Sequence, residues 1–222
     1  MVSKIEPPKN MHDQGHLETT LKGIRQLLSH LHGEVTALED SYSQVLLVLR
    51  KLEGTFDTDD LSGLLRRKPF FQKWEALLKE CEELHENSGL LLIDIDHFKL
   101  VNDTHGHQTG DEVIKRVSAL LKTFESPACV TGRYGGEEFA IAVRGTDAEI
   151  LGVAEMIRRG AERLHGPVGI EGEPTNVEWK CTVSVGMSST SREGHDATRL
   201  LKAADEALYD AKKKGRNQVR AA

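Results

Sequence analysis

Two short acidic segments stand out for the chemistry that their side chains can support. Asp94-Ile95-Asp96 follows a short apolar run, and Glu137-Glu138 follows a pair of glycines, with no cysteine or cluster of histidines nearby. Carboxylate oxygens in such a setting are hard ligands, which suit Mg²⁺ or Mn²⁺ better than zinc. Metals of this kind bridge phosphate oxygens and activate a hydroxyl nucleophile in an in-line displacement. The acidic segments therefore indicate phosphoryl chemistry.

A basic run, Lys212 to Arg216, can supply the cations that phosphoryl chemistry also requires. Taken singly, paired carboxylates at strand ends and basic residues at a helix end are usually solvated surface groups. Together they favour a phosphate site, because a triphosphate, its metal ions and compensating cations must meet in one place. The fold must then bring the two acidic segments and the basic run together.

The elements that position these groups follow from the periodicity of the apolar residues. Leu90 to Ile95 is too short for a helix and is bounded by loop residues, so it is predicted to be a buried strand. Gly135-Gly136 lies between two β-prone runs, and paired glycines supply the positive φ angles of a tight hairpin turn. The whole pattern predicts helices near 68–86, 109–124, 147–165 and 196–213, and strands near 89–95, 128–134, 138–144 and 177–187.

This order, βαββαβ, is the split-βαβ arrangement and predicts an α+β domain with a central antiparallel sheet flanked by helices. If strand 89–95 lies antiparallel to strand 138–144, the C-terminal end of the first meets the N-terminal end of the second. Asp94 and Asp96 are then expected to face the Glu137-Glu138 turn.

The N-terminal part of the chain has a different period. Its apolar residues alternate steps of four and three without a miss, which keeps one seam facing a partner helix. This heptad repeat predicts a helical coiled coil over residues 17–52, about 54 Å long, that joins two chains. The alternative is one amphipathic helix packed on its own domain. The seam consists of Leu17, Leu21, Ile24, Leu28, Leu31, Val35, Leu38, Tyr42, Val45, Leu49 and Leu52, and apolar Leu27, Leu46 and Val48 beside it leave room for a larger bundle.

The segment Gly54 to Ser62 interrupts the heptads with glycine, acidic and hydroxyl residues, which marks a junction. The predicted organisation is a flexible N-terminus over residues 1–16, a coiled coil over 17–54 and the α+β domain over 55–222.

The overall composition argues against several classes of protein. A net charge of −6 over 222 residues is unlike a general binder of nucleic acid or of anionic membrane. Cys81, Cys129 and Cys181 are widely spaced and form no CxxC pair, so they indicate reduced thiols. No apolar run approaches the roughly 20 residues that span a bilayer, and the N-terminus lacks the apolar stretch of a signal peptide. The sequence predicts a cytoplasmic protein.

Residues 57–220 resemble the GGDEF family of diguanylate cyclases. The signature here is Arg133-Tyr134-Gly135-Gly136-Glu137-Glu138-Phe139. The segment Asp59 to Arg67 is similar to the family's DxLTGLxNR motif, with Ser62 in place of threonine and Arg66 in place of asparagine. Further matching residues are Asp94 to Lys99, Asn102-Asp103, Gly106-His107, Gly110-Asp111, Ala204-Asp205, Ala207-Leu208-Tyr209, Ala211-Lys212 and Gly215-Arg216-Asn217.

The resemblance implies a metal site and a set of catalytic carboxylates. Asp94 and Glu137 are expected to hold two Mg²⁺ or Mn²⁺ ions per active site, with the Ile95 carbonyl as a further ligand. Glu138 is expected to order the turn and can also reach a metal. For removal of the 3′-hydroxyl proton, Glu137 and a metal-bound hydroxide both remain candidates.

The resemblance also implies how GTP is bound. Asn102 and Asp111 are expected to read the guanine edge, because a carboxylate accepts from N1–H and N2–H, and adenine offers no such donor pair. The phosphates are expected to lie against Lys212, Arg216, the backbone amides around His97 and Phe98, and Lys99, with Gly135 and Gly136 leaving the space that the nucleotide needs.

The implied activity requires two chains. In the family each subunit binds one GTP, and the 3′-hydroxyl of one attacks the α-phosphorus of the other to form cyclic di-GMP and pyrophosphate. The coiled coil would make the homodimer that brings the half-sites together. Two rivals are a module that binds nucleotide or cyclic di-GMP without catalysis and a purely structural coiled-coil dimeriser. Neither nucleic acid nor membrane is an expected partner.

One motif of the family is missing. Members under product inhibition carry RxxD, with the aspartate six residues before the first signature glycine. Here Ser126 and Cys129 stand at the two charged positions. The sequence therefore predicts that the inhibitory product site is absent.

Overall fold

The computed structural model describes residues 11–168 and 177–222, with side chains for 19–45, 57–168 and 177–222. The chain divides into two compact units between Thr55 and Phe56, and the second is called the α/β unit below. The elements in chain order are α1 (Met11–Asp57), α2 (Arg67–Glu83), β1 (Ser88–Ile95), α3 (Phe98–His105), α4 (His107–Lys122), β2 (Cys129–Arg133), β3 (Glu138–Arg144), α5 (Asp147–Glu162), β4 (His165–Pro167), β5 (Glu178–Lys180), β6 (Val183–Ser189), α6 (Thr190–Glu193), α7 (Ala197–Lys213) and β7 (Val219–Ala221).

Helix α1 is longer than the predicted coiled coil. It begins at Met11, so residues 11–16 of the predicted flexible N-terminus are helical, and it passes through Gly54 to end at Asp57. The helix end and the division between the two units both fall within the predicted junction Gly54 to Ser62, and α1 continues past Gly54 because one glycine inside a helix costs only about 1 kcal/mol relative to alanine. Residues 1–10 lie outside the described residues.

The apolar seam of α1 is exposed over the part whose side chains are described. The exposed fraction of its residues runs from 46% for Leu21 to 72% for Leu38. Apolar residues at this spacing stabilise a helix only when another surface covers them. The helix therefore fits a coiled coil, as the heptads predict. No helix in the described part of the chain is long and apolar enough to span a membrane.

The α/β unit is built on a five-stranded sheet in the order β2-β3-β1-β6-β7. Strand β1 is antiparallel to β3 and to β6, and β2 is antiparallel to β3, so the predicted βαββαβ core is confirmed. The sheet is mixed rather than wholly antiparallel, because β7 runs parallel to β6. Strand β7 is too short to show a period of two in the sequence, and it was not predicted.

Helices cover both faces of the sheet, and β1 is buried at every position. Leu91 and Ile93 pack in the core cluster with residues of α4 and α5, whereas Leu90 and Leu92 pack with residues of α2 and α7. Successive side chains of a strand point to opposite faces. Asp94 therefore follows Leu90 and Leu92 toward the face that α7 covers.

Gly186 in β6 allows α7 to lie close to the sheet. A Cβ at this position would overlap the carbonyl oxygen of Ala204 and the amide nitrogen of Leu208, both in the backbone of α7. A larger residue would move α7 outward, and with it the basic residues of its last turn. The glycine thus belongs to the structure that positions the site.

The predicted strand 177–187 is in fact two strands. Strand β5 pairs with β4, β6 joins the main sheet, and Cys181-Thr182 lies between them. At this break, Thr182 exchanges hydrogen bonds with Asp96: the Asp96 amide donates to the Thr182 carbonyl at 2.9 Å, and the Thr182 hydroxyl donates to the Asp96 carboxylate at 2.6 Å. Such a long-range contact leaves no trace in local periodicity. The short helices α3 and α6 were missed because they are below the length at which a helical period is visible.

Candidate active site

The antiparallel register of β1 and β3 brings the first acidic segment to the signature turn. Asp94 lies opposite Glu138, and the Ile95 amide donates to the Glu137 carbonyl at 3.2 Å. The position of Asp94 opposite the turn was expected from the topology. The carboxylates of the strand end and of the turn therefore share one edge of the sheet.

Lys212, in the last turn of α7, reaches the same edge. Its Nζ lies 2.7 Å from Oδ2 of Asp94, whose side chain is only 10% exposed. Burial raises the pKa of Asp94, and the charge of Asp96 adds to this effect, while Lys212 and Arg216 act in the opposite direction. The basic run and the acidic segment are thus in contact, as the phosphate-site hypothesis requires.

Glu137 completes a cluster of negative charge. Burial raises its pKa, and the nearby charges of Asp94 and Glu138 raise it further against the opposing effect of Lys212. Groups whose ionisation is disfavoured by neighbouring carboxylates gain most from a bound cation. Within the described residues, no three His, Cys, Asp or Glu side chains form a group that could hold a metal ion. A cation here would need ligands from outside the protein as well.

The signature turn is Tyr134–Glu137, between β2 and β3. The amides of Tyr134 and Gly135 both donate to the Glu138 carbonyl, at 2.8 and 3.1 Å. The prediction of positive φ angles at Gly135 and Gly136 is wrong, since neither has one. The connection is longer than the two-residue turns that demand such angles. A Cβ on Gly135 would lie 2.6 Å from Oε2 of Glu138, and nothing lies within 4 Å of the Cβ position of Gly136.

Arg133 holds the signature turn in place through hydrogen bonds, a role that was not predicted from the sequence. Its guanidinium donates to the carbonyls of Gly135 (3.2 Å) and Gly136 (2.6 Å) and pairs with Asp59 at 2.7 Å. Asp59 also accepts from the Ser62 amide at 2.9 Å. The only available signal was that Arg133 opens the signature and Asp59 opens the preceding motif. No periodicity connects two residues so far apart in the chain.

Asp96 does not face the signature turn, contrary to the prediction. Its carboxylate accepts from the hydroxyls of Thr182 and Ser184, each at 2.6 Å, and from the Asn217 amide at 3.0 Å. These donors satisfy a buried carboxylate and tie the end of β1 to β6 and to the turn after α7. Asp96 therefore stabilises the fold next to Asp94 through hydrogen bonds of its carboxylate.

The residues expected to bind nucleotide lie on α3, α4 and their flanks. His97 precedes α3 with a φ of 56°, and its side chain is exposed, whereas Phe98 is buried. Asn102 packs so closely on Gly110 that a Cβ at Gly110 would overlap its Oδ1. Asp111, next to Gly110, is exposed. The expected guanine-reading pair is thus brought together where α3 meets α4.

Lys99 and Arg216, two other basic residues expected to bind phosphate, are exposed. Lys99 pairs with Asp103 on the exposed side of α3, at 3.0 Å. Arg216 is exposed and follows Gly215 in a turn with positive φ angles. Its influence on the pKa of Asp94 places its charge within electrostatic reach of the carboxylates.

The segment at the missing RxxD motif is a tight turn at the opposite end of β2. The amides and carbonyls of Ser126 and Cys129 exchange hydrogen bonds at 3.0 and 3.1 Å. Ser126 is exposed, while Cys129 is 8% exposed and belongs to the core cluster. Burial and the charge of Glu125 raise the pKa of the Cys129 thiol to about 12. Cys129 therefore presents no charge to the surface.

Most of the chain is similar to known proteins. Residues 56–218 match the family model described as diguanylate cyclase, GGDEF domain. The response regulator PleD of Caulobacter vibrioides is 39% identical over 163 residues, which are 73% of this chain and 35% of PleD. This chain spans less than half the length of the curated relatives it matches.

Two solved structures extend the likeness to the N-terminal helix. The coiled coil and GGDEF domain of DgcB from Caulobacter crescentus, in complex with c-di-GMP, is 34% identical with a TM-score of 0.70, covering 84% of this chain and 98% of that one. Diguanylate cyclase SiaD from Pseudomonas aeruginosa, in complex with its activator SiaC, is 28% identical with a TM-score of 0.73, covering 96% and 79%. With motifs, fold and matches in agreement, the chain belongs to the GGDEF family of diguanylate cyclases.

Proposed function

We propose that this chain condenses two GTP molecules into cyclic di-GMP, acting as a homodimer. At each of two reacting centres the 3′-oxygen of one GTP forms a bond to the α-phosphorus of the other. The bond from that phosphorus to the β-phosphate oxygen breaks, so one cyclic product, two pyrophosphates and two protons result. The observation that carries the proposal is the meeting of Asp94, the signature turn and Lys212 at one edge of the sheet.

The donor set at this edge fits Mg²⁺ or Mn²⁺. Asp94 and Glu137 offer carboxylate oxygens, and the Ile95 carbonyl is the proposed further ligand. Mg²⁺ is usually held by one or two carboxylates together with substrate phosphates, rather than by a complete cage of protein ligands. Because Mg²⁺ takes some of its ligands from substrate phosphates, a site with fewer than three ligand side chains among the described residues is still suited to it. Two such ions, when bound, would neutralise charge on the phosphates.

The chain's own residues would place the nucleotide. We assign the guanine edge to Asn102, which packs against Gly110, and to Asp111, the next residue along α4. The open space at Gly136 leaves room for the nucleotide over the signature turn. Glu137, whose pKa is raised, is the side chain best suited to accept the 3′-hydroxyl proton. Glu138 is proposed to shape the turn, since its carbonyl accepts the two amides that close it.

The phosphates are assigned to the cations and amides around the same edge. Lys212 and Arg216 would bind the β- and γ-phosphates, and the amides of His97 and Phe98, with Lys99 nearby, would close over them. Charge-assisted hydrogen bonds from lysine and arginine are the strongest that proteins offer to phosphate. Lys212 is already within the carboxylate cluster, and Arg216 is exposed beside it.

One chain supplies half of this reaction, because each GTP needs a second GTP to attack. The proposed dimer forms through residues 17–52, where the exposed seam of α1 requires another apolar surface. Joining the two half-sites raises their effective concentration to the millimolar range when the geometry allows contact. We also propose a cytoplasmic location, because the three cysteines are free and the substrate is a nucleotide of the cytoplasm.

The test is to incubate the full chain with GTP and Mg²⁺ and to identify products by liquid chromatography and mass spectrometry. We expect cyclic di-GMP and two pyrophosphates per product, with an Asp94→Asn variant as the inactive control. Tight GTP binding without any product from the wild-type chain would instead establish a non-catalytic binding module. Formation of neither complex nor product would leave only the dimerising role.

A further inference from the structure

Lys212 is set apart from the other basic residues that end α7. Lys213 lies over the ring of Tyr209, 4.4 Å from its centroid, and Lys214 pairs with Asp210 at 2.8 Å. Lys212 instead turns inward to Asp94, where its side chain is 31% exposed and that of Asp94 is 10% exposed. The cation proposed to bind phosphate is thus in contact with a carboxylate proposed to bind metal.

These two roles conflict at the distances observed. Nζ of Lys212 lies 2.7 Å from Oδ2 of Asp94. A Mg²⁺ ion on the same carboxylate would stand about 2.0–2.1 Å from its ligand oxygen. An ammonium group and a divalent ion that close repel each other strongly, and burial limits screening by solvent. Lys212 and a metal ion therefore cannot share Oδ2 of Asp94, and a metal ion on Oδ1 would still face the nearby charge of Lys212.

We propose that Lys212 exchanges partners: a divalent ion displaces it from Asp94, and the released ammonium binds the triphosphate. This rests on the proposed function and goes beyond it, because it makes metal and nucleotide bind as one coupled unit. Each ligand removes an obstacle to the other, since the metal frees Lys212 for phosphate and phosphate draws Lys212 away from the metal site. The four-carbon stem of lysine is flexible enough for such a move.

Thermodynamic linkage requires the coupling between metal and nucleotide binding to be equal in both directions. If nucleotide raises the affinity for metal by some factor, metal raises the affinity for nucleotide by the same factor. Without nucleotide, Lys212 opposes metal binding, so removing its charge should tighten that binding. Couplings of this kind are commonly about tenfold or more. A lysine that served phosphate alone would have no such influence on metal binding without nucleotide.

The experiment measures Mn²⁺ binding to the full chain without nucleotide, from the electron paramagnetic resonance signal of free Mn²⁺. Lys212→Met removes the charge and keeps the length of the side chain, and Lys213→Met is the matched control with the same change in net charge. We expect Lys212→Met to bind Mn²⁺ about tenfold more tightly than wild type, and Lys213→Met to match wild type. Circular dichroism checks the fold, and Lys212→Gln provides a second neutral variant.

The titration is repeated with the α,β-methylene analogue of GTP, corrected for its own Mn²⁺ binding. The gain in Mn²⁺ affinity on adding the analogue should be about tenfold larger in wild type than in Lys212→Met. Equal Mn²⁺ affinity of Lys212→Met and Lys213→Met without nucleotide overturns the exchange. Unchanged binding by Asp94→Asn overturns it too, because the ion then lies elsewhere. Tighter Mn²⁺ binding by Lys212→Met, together with a wild-type chain that makes no cyclic di-GMP, supports the exchange and refutes the proposed function.

Discussion

Helix α1 and the α/β unit differ in where their apolar side chains find partners. In the α/β unit the largest side chains, such as Trp74 and Phe139, are at most 1% exposed. In α1 the seam residues from Leu21 to Val45 are about half exposed or more. The α/β unit buries its apolar side chains in its own core, whereas the seam of α1 is exposed. The proposed function assigns that seam to the homodimer.

The polar groups show the same contrast. Asp94, Lys212 and Arg133 make their contacts inside the α/β unit, which holds the carboxylates and the turn in place. In the proposed function, α1 brings in the second half-site. Metal binding and dimerisation are then assigned to different parts of the chain, so each should be removable by substitutions that leave the other intact.

Removing the carboxylates should have the largest effect. Asp94→Asn or Glu137→Gln preserves volume and removes the charge expected to hold metal, so turnover should fall about 1,000-fold or more. The variants should remain folded dimers, because the change lies far from the seam of α1 in the sequence. Initial rates of cyclic di-GMP formation and light scattering check both points. Near-normal turnover by either variant removes that residue from the metal site.

Breaking the seam should be the next largest effect. Leu28→Gln combined with Leu38→Gln places polar groups at two seam positions that are 60% and 72% exposed in the single chain. Monomers should form, and activity at micromolar protein should fall about 100-fold, since the half-sites lose their effective concentration. Binding of one GTP per chain should persist.

The matched control is Leu151→Gln, which changes an exposed leucine of α5. Its oligomeric state and rate should equal those of wild type. Leu27→Gln sharpens the result, because Leu27 flanks the seam and a dimer leaves it peripheral, whereas a larger bundle would bury it. A wild-type chain that is monomeric by light scattering at full activity would show that α1 does not assemble the enzyme.

Loosening the signature turn should have a smaller effect. Asp59→Asn removes the charged partner of the Arg133 guanidinium, while the hydrogen bonds of that guanidinium to the Gly135 and Gly136 carbonyls remain possible. We expect kcat to fall about tenfold, because misplacement of Glu137 weakens catalysis more than substrate binding. Steady-state kinetics with separate kcat and KM values test this. The control is Glu112→Gln, which removes a comparable but exposed pair with Arg116 on α4; a loss of similar size there would make the Asp59 effect unspecific.

The same pair predicts a dependence of stability on pH. Burial acts to raise the pKa of Asp59, but hydrogen bonds from Arg133 and Ser62 outweigh it and hold the pKa below 3.8. A carboxyl with a lowered pKa stabilises the fold above its unfolded pKa and loses that contribution as pH falls through the folded value. The difference in melting temperature between wild type and Asp59→Asn should be constant above about pH 5 and shrink as the pH falls through the ordinary aspartate pKa toward the lower folded value. A difference that grew on acidification would contradict the assignment.

Changing the expected guanine reader should alter specificity more than rate. Asp111→Ser removes the acceptor for guanine N1–H and N2–H, so discrimination against ATP should fall about tenfold, corresponding to one unpaired polar group. The exposure of Asp111 limits the effect, because solvent can replace the lost partner. Ratios of kcat/KM for GTP and ATP measure it, with Asp103→Ser on α3 as the control. A wild-type enzyme that uses ATP as readily as GTP would rule out this role.

The βαββαβ core, the meeting of Asp94 with the signature turn and the seam of α1 could all be predicted from sequence, whereas β7 and the separation of β5 from β6 could not. Those features follow from local periodicity and from one rule of antiparallel pairing. The roles of Asp96 and Arg133 could not. Each depends on hydrogen bonds to residues distant in the chain, such as Thr182 and Asp59. A carboxylate that holds strands together looks, in sequence, like one that binds metal.

The turn glycines show a subtler limit. Gly135-Gly136 predicted a hairpin, and the hairpin is present. The reason given for it, that the glycines adopt positive φ angles, is wrong, since neither residue has one. What the positions require is space, beside Glu138 in one case and over the turn in the other. A small residue in a sequence does not reveal which of these two properties the fold uses.

The smallest expected effect is on inhibition by product, and it bears on where control of the enzyme resides. Ser126 and Cys129 replace the charged pair of the RxxD motif, and Cys129 is buried in the core cluster. Neither side chain can reproduce the planar fork of donors with which arginine binds phosphate and guanine edges. Pro127 restricts the backbone of Ser126, which makes local rearrangement costly. The α/β unit should therefore lack the inhibitory site, leaving control to whatever acts on α1.

Initial rates measured while cyclic di-GMP is titrated to tens of micromolar decide the matter, and we expect a change of less than about twofold. Two arginines of the Asp59 to Arg67 segment that could supply a substitute site are already engaged: Arg66 donates to the Thr58 carbonyl at 2.7 Å, and Arg67 lies over the ring of Tyr134 at 4.2 Å. A substitute surface would thus have to break existing contacts or use Lys73 or Lys122, which line the cleft together with Ser126. Non-competitive inhibition at low micromolar product that disappears in Lys73→Met or Lys122→Met would identify such a surface. The α/β unit would then regulate itself, and the division of chemistry from control between the two regions would be wrong.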